Sequence, residues 1–378
     1  MQKPLIKPQS NKFSSGPCKK FPGWSLDTLQ NAVLERGSKS ADSVARVHEL
    51  IEKTKKVLNI PKGYEIIALP GSASAAITAG MWNFLGSRPL DALCWDVFGH
   101  RWYKDAVNQL KIKETRKIEA PMGQMVDFSG INPKHDVMFV WNGTSCGVSM
   151  PHMNWVSPNH EGLIMADATS AAFATDLDWE KLDVTAFSWQ KGLGAEAAHG
   201  MLVLSPKAIE HYKQYTPYWP IPFFLNLKNA QGIPNETLYE GHTINTLSML
   251  CVADCLQALI WAENIGGIKA LEKRSQANST ILQQWAKKTN WVIPVAKNAE
   301  YQSISTYCFN IEKDGEVVDF DWIKQYVGLL AKEGVALDIK GHALVGSGIR
   351  IWTGPTIEKE DIETLIPWLE WAYTEMDK

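Results

Sequence analysis

With 378 residues, 45% hydrophobic and 21% charged, the chain has the composition of a folded protein and too much length for one hydrophobic core, so two domains are expected. A formal net charge of −3 with scattered lysines excludes the basic stripe of a nucleic-acid reader and points to small-molecule partners. No window approaches the ~18 unbroken apolar residues of a membrane span, and Met1–Pro8 lacks the apolar stretch of a signal peptide, so no membrane partner and a cytoplasmic location are expected.

From about residue 40 to 260, short apolar runs alternate with amphipathic helical stretches, the pattern of an α/β fold whose parallel sheet is covered on both faces. Strands are predicted at Glu65–Leu69, Ala92–Trp95, Val137–Trp141, Leu163–Ala166, Val184–Phe187 and Met201–Leu204. Several run into residues with chemistry, Asp96, Asn142, Asp167 and Ser188, at the carboxyl ends where open α/β sheets bind ligands. A helix over Leu247–Glu263 stops at Asn264-Ile265-Gly266-Gly267, a glycine-type ending, and another helix is predicted just after it. The domain boundary is placed there, giving 16–265 as a large domain and 266–378 as a small one. The small domain is predicted as helix, strand Ile304–Ile311, helix Phe320–Lys332, short strand Val335–Ile339, strand Gly348–Trp352 and terminal helix, a compact α+β unit.

Six cysteines, mostly inside apolar runs, read as reduced core residues. Cys251 and Cys255 share a helix face but lack a nearby histidine or second cysteine pair, so no metal site is expected. The chemical signal lies in Phe187-Ser188-Trp189-Gln190-Lys191-Gly192-Leu193-Gly194, with Asp167 upstream, because a lysine and a carboxylate stand at neighbouring strand ends. That is the minimal equipment for pyridoxal phosphate (PLP): the amine holds the cofactor as a Schiff base, and the carboxylate keeps the pyridine nitrogen protonated so that the ring absorbs electrons. Alone, Asp167 reads equally as a helix N-cap and Lys191 as a solvated loop lysine. Pro70-Gly71-Ser72-Ala73-Ser74 follows a strand and opens a helix, a phosphate cradle in form but a weak signal by itself. Ser188-x-x-Lys191 also matches the Ser-x-x-Lys of serine acyl-transferases. The chain lacks the accompanying Ser-Asp-Asn and Lys-Thr-Gly elements, and Ser188 follows a strand rather than opening a helix.

In this order the segments resemble the phosphoserine aminotransferase family, PLP enzymes of the aspartate-aminotransferase-like fold type I, from Phe13 to near the C-terminus. Phe13-Ser14-Ser15-Gly16-Pro17-Cys18 resembles the family's N-terminal substrate-side segment, Trp141-Asn142-Gly143-Thr144-Ser145 its cofactor-oxygen loop, and Gly241-His242-Thr243-Ile244-Asn245-Thr246 the loop that crosses to a partner subunit. The resemblance implies a large domain with a mainly parallel seven-stranded sheet, a substrate-side segment over 1–15, and a homodimer sharing its active sites. It implies Lys191 as covalent anchor and general acid/base, Asp167 facing the pyridine nitrogen, Trp102 stacked on the ring and Thr144 at its hydroxyl oxygen. Ser72, Ala73 and Gln190 would hold the cofactor phosphate, with Asn245 and Thr246 reaching it from the partner. Ser15, Gly16 and His342 fall on the substrate side, and Arg350 matches the arginine that receives the α-carboxylate in a bidentate fork. The implied reaction is 3-phosphohydroxypyruvate plus L-glutamate to O-phospho-L-serine plus 2-oxoglutarate, a step of serine biosynthesis.

The pattern departs from the family where the substrate phosphate is held. The usual His-Arg pair is Ser38-Lys39 in the stretch Glu35–Ser40, Ala343 stands where an arginine follows the position of His342, and Ala73 replaces a common arginine or aspartate. Each charge-assisted hydrogen bond contributes roughly 1.5–3 kcal/mol, so two uncompensated losses weaken phosphosubstrate selection by about two to four orders of magnitude. Arg36, Lys39, His100 and Arg101 are the cations available to compensate. A same-family aminotransferase acting on a related non-phosphorylated amino acid therefore stands as the alternative, followed by another PLP chemistry, for which Cys308 would have to serve, and a non-catalytic binding module.

Overall fold

The computed structural model describes residues 1–342, 344–345 and 348–376. The first part of the chain forms α1 (Ala41–Val57), β1 (Glu65–Pro70), α2 (Ser72–Phe84), β2 (Leu90–Cys94), α3 (Val97–Asn108), β3 (Thr115–Glu119) and β4 (Asp136–Val140). A short hairpin, β5 (Asn142–Gly143) with β6 (Val148–Ser149), precedes β7 (Ile164–Asp167), β8 (Val184–Ser188), β9 (His199–Leu204), α4 (Pro206–Gln214) and α5 (Met249–Asn264). Then follow α6 (Gly267–Ala286), β10 (Val292–Pro294), β11 (Thr306–Lys313), β12 (Glu316–Val317), α7 (Phe320–Lys332), β13 (Ile349–Trp352) and α8 (Lys359–Glu375).

Seven strands make the large sheet, in the order β1-β9-β8-β7-β4-β2-β3. The ladders among β8, β7, β4, β2 and β3 are parallel, and β9 runs against both of its neighbours. The central strands are mostly apolar because both faces are covered. Alternate residues of each go to opposite cores: Ile66, Phe139, Ala166 and Val203 face α1 and α5, while Ile67, Val140, Met165 and Leu202 face α2, α3 and α4. The edge strand β3, Thr-Arg-Lys-Ile-Glu, exposes Arg116, Lys117 and Glu119, so it carries no apolar run and escapes a search for one. Arg116 ties it to β2 through two contacts with the buried Asp91, at 2.7 and 2.5 Å.

A separate core gathers Leu282 and Trp285 of α6 with α7, α8, β11 and β13, and Phe13 of the N-terminal segment packs into it. The α5–α6 break falls at Gly266 (φ +114°) and turns the chain by 86°. Ile268 and Leu271, just past the break, still pack with the core shared by α1 and α5, so α6 spans both cores. Val335–Ile339, expected as a short strand, is instead irregular, with Val335, Ala336 and Ile339 buried and a single bridge from Leu337 to Lys12; Lys340, just beyond it, bridges Ile349. Asp338, at φ +57°, breaks the extended backbone there. Among the described residues no single helix is long and apolar enough to cross a membrane, and no cluster of three metal-ligating side chains occurs.

Candidate active site

The parallel arrangement brings the carboxyl ends of β2, β4, β7 and β8 to one edge of the sheet, with the start of β9 between β8 and β1. Each end carries a polar residue for which burial is costly unless it is bonded. Asp96 caps α3, accepting from Gly99 N at 2.8 Å and from Ser145 Oγ at 3.2 Å. Burial pushes its carboxyl up to about 6, and the nearby Asp167 charge adds to the rise. Asn142 donates to Ser170 O and Ser305 Oγ, joining the sheet edge to the loop before β11.

Asp167 closes β7. Its Oδ1 accepts from Thr169 N (3.1 Å) and Thr169 Oγ1 (2.5 Å), and its Oδ2 from Trp102 Nε1 (3.0 Å). The local turn and the site role are therefore the same feature: one oxygen orders the chain after the strand, and the other reaches across to α3. Lys191 enters from the turn after β8 and donates from Nζ to Ser170 Oγ at 2.9 Å and toward Thr144 Oγ1 at 3.4 Å; those two hydroxyls also bond each other. Burial lowers the amine from 10.5 to about 8, Arg350 deepens the fall, and Asp167 and Asp96 oppose it. Burial also pushes the adjacent Cys18 thiol up, so it stays neutral beside the amine. Gly16 (φ +141°) lies so close that a Cβ there would stand 3.1 Å from Lys191 Cε.

The start of α2 supplies the third component. Gly71 is left-handed (φ +91°), and its amide and that of Ser72 bond Ala198 O. The helical ladder begins with Ala75 N on Gly71 O, leaving the Ala73 and Ser74 amides as the orphan donors of a helix start. Gly200 of β9 makes this approach fit, because a Cβ there would meet Ser72 O at 2.3 Å. One cavity of about 220 Å³ is lined by Gly16, Ser72, Ala73, Ser74, Phe98, Trp102, Val140, Thr144, Asp167, Thr169, Ser170, Gln190 and Lys191.

The structure thus gathers Lys191, Asp167, Trp102, Thr144, Ser72, Ala73, Gln190 and Gly16 in one place. Ser15 is buried next to Gly16. Arg350, on β13 opposite Cys308 of β11, is half-buried, with an Nε that finds no hydrogen-bond partner. His342 stands edge-on to Phe98 at 6.2 Å, and burial, then Arg350 and Arg101, hold its pKa down. Asn245 and Thr246 are exposed and lie outside their own chain's cavity. Arg36 is exposed and paired with Asp42 at 2.7 Å, and Lys39 is exposed; neither lines the cavity. His100 is held down by burial and then by Lys117 of the edge strand. Ala343 lies outside the described residues. Ser74 belonged to the segment read as a phosphate cradle, whereas sequence reasoning assigned no role to Ser170, Thr169 or Phe98. Ser170 and Thr169 carried a signal, two hydroxyls within three residues of a strand-end carboxylate.

Over 371 residues the chain is 42% identical to the phosphoserine aminotransferase of Methanosarcina mazei, covering 98% of this chain and 99% of that one. The Methanosarcina barkeri phosphoserine aminotransferase matches at the same identity and coverage. The chain belongs to the phosphoserine aminotransferase family. No protein-family model matches it. Among solved structures, the Cytophaga hutchinsonii phosphoserine aminotransferase superposes with a TM-score of 0.81 at 20% identity, covering 96% of this chain and 99% of that one. Pyridoxamine-pyruvate aminotransferase from Mesorhizobium loti superposes at 0.83 with 18% identity, covering 100% and 95%. The fold is that of these aminotransferases, with the mostly parallel seven-stranded sheet that the family resemblance implied.

Proposed function

We propose that this chain is a PLP-dependent aminotransferase converting 3-phosphohydroxypyruvate and L-glutamate to O-phospho-L-serine and 2-oxoglutarate. The observation that carries the reading is the cavity that joins the lowered Lys191 amine, the Asp167 carboxylate and the α2 amides, in a chain 42% identical to named phosphoserine aminotransferases. These residues fit PLP. The orphan amides of Ala73 and Ser74, with Ser72 and Gln190, suit its phosphate, Asp167 its pyridine nitrogen, Thr144 its ring oxygen and Trp102 its ring face. When bound, PLP supplies the electron sink that lets a Cα–H bond of an amino acid break.

The protein's part is proton handling and orientation. An amine titrating near 8 is partly neutral at physiological pH, so Lys191 Nζ takes the Cα proton and returns it on the other side of the exchange. Ser170 and Thr144 aim Nζ from one side while Gly16 packs against its stem. Arg350, with its unpartnered Nε, receives the α-carboxylate as a planar fork. Ser15 and Gly16 close the substrate side.

The reading includes a cytoplasmic homodimer, with residues 16–265 holding the cofactor and 266–378 the smaller substrate-side unit. Exposed Asn245 and Thr246 are available to a partner's phosphate site, and Leu26, Leu34 and Leu250 leave apolar surface exposed on the flank carrying α5. The test is a half-reaction: purified holoenzyme is mixed separately with glutamate, O-phosphoserine and serine, and conversion of the lysine-linked spectrum to that of pyridoxamine phosphate is followed. Conversion by glutamate and O-phosphoserine is expected. Conversion by glutamate without O-phosphoserine would overturn the phosphorylated substrate.

A further inference from the structure

A phosphoserine aminotransferase must recognise two anionic groups on each substrate, the α-carboxylate near the reacting carbon and a distal carboxylate or phosphate. Arg350 accounts for the first. The sequence offers Arg36, Lys39, His100 and Arg101 for the second, and the structure separates them. Arg36 is committed to Asp42, Lys39 stands exposed away from the cavity, and His100 lies in the field of Lys117 on the edge strand.

Arg101 differs. On α3, Phe98, Arg101 and Trp102 are spaced i, i+3, i+4 and share one face. Trp102 and Phe98 line the cavity, and the Arg101 guanidinium sits over the Phe98 ring at 5.3 Å. His342 also stands edge-on to that ring at 6.2 Å, within the fields of both Arg350 and Arg101. Asp105, one turn further along α3, feels the Arg101 field, yet no ion pair to Arg101 forms among the described residues. An exposed guanidinium parked on an aromatic face keeps its donor fork free while the ring restricts where it points.

We propose that Arg101, sharing the Phe98 ring with His342, receives the distal anionic group of the substrate and so takes over the role of the family's missing phosphate-side arginines. The assignment rests on the aminotransferase reading and names the residue behind its specificity. Arg101 does not itself line the cavity; it is held over Phe98, which does, and both it and Arg350 act on His342 at the same ring, so a substrate must carry two anions to engage both. Monoanionic amino acids such as alanine engage Arg350 alone.

The test uses holoenzyme of the wild type and of Arg101→Gln, Arg101→Lys and Lys39→Gln. Half-reactions are run with O-phosphoserine, glutamate and alanine, and binding of 4-phosphonobutyrate, which has both anions but no amine to react, is measured by calorimetry against butyrate. In Arg101→Gln, apparent affinity for O-phosphoserine, glutamate and 4-phosphonobutyrate is expected to fall about 10- to 100-fold relative to alanine and butyrate. Arg101→Lys should recover part of the loss, since a point charge replaces a fork. An equal fall for alanine would show a structural role and overturn the proposal, as would loss of discrimination in Lys39→Gln with none in Arg101→Gln. The parent reading fails separately: wild type that converts glutamate but neither converts O-phosphoserine nor binds the phosphonate sinks the phosphorylated substrate, while the glutamate-to-alanine ratio still tests Arg101.

Discussion

The floor of the cavity and its mouth are built on opposite principles. At the floor the carboxylates and the amine are bonded inside the protein: Asp167 to Thr169 and Trp102, Lys191 to Ser170, Asp96 to Gly99 and Ser145. Above it, among the described residues, Arg350 Nε has no hydrogen-bond partner and Arg101 rests on the Phe98 ring with no ion pair. A resident group needs a rigid, preorganised seat, because loss of geometry costs catalysis directly. Exchanging substrates need donors that a bound anion can claim without first breaking an internal ion pair. Rigidity at the sheet edge and unsatisfied charge above it are thus two requirements of one reaction.

The largest expected break in this comparison comes from the floor. Lys191→Ala removes anchor and proton carrier together, so transamination should fall below about 10⁻³ of wild type while the fold persists. The cavity still keeps its other walls. The readout is turnover alongside circular dichroism and the visible band of the lysine-linked cofactor. Retained turnover would sink the proposed mechanism. A smaller effect is expected at the mouth, where Arg350→Gln should raise KM about 10- to 100-fold for every amino acid, with or without a distal anion. Saturation of the glutamate and alanine half-reactions measures it, and a loss confined to glutamate would move Arg350 to the distal group.

The same division governs what the sequence made legible. Lys191 and Asp167 were readable because each follows a buried apolar strand, where a charge without a function is costly. The fold was readable for the same reason: β4, β7 and β8 are short, largely apolar runs. Where the physics is solvation, the signal disappears. Edge strand β3 exposes Arg116, Lys117 and Glu119 and offers only Ile118 to the core, and β10 is three residues long. Arg36, Lys39, His100 and Arg101 are indistinguishable as letters. Only the path of α3 puts one of them over Phe98. Ser170 carried only a weak signal, its closeness in sequence to the strand-end Asp167, and its role becomes plain once the Lys191 amine is seen 2.9 Å away.

The smallest effect sharpens the account of the floor itself. In the cofactor-free protein the Lys191 amine titrates near 8, against an ordinary value of 10.5 that the unfolded chain restores. Below 8 both states hold the proton, and the fold bears the cost of a buried charge. Between 8 and 10.5 the unfolded chain binds more protons than the folded one, so this group makes stability rise with pH. Lys191→Met removes the titration and keeps the bulk. The variant should therefore be the more stable protein at pH 7, with its advantage narrowing by about 1–3 °C of Tm as pH rises to 10. The buried Cys18 thiol and all other groups titrate in both proteins and cancel to first order in the difference. Thermal unfolding of the two cofactor-free proteins at several pH values reads it directly. Parallel curves would mean that the amine is solvated and fully charged, and that the neutral fraction assigned to Lys191 must come from the bound cofactor rather than from the fold.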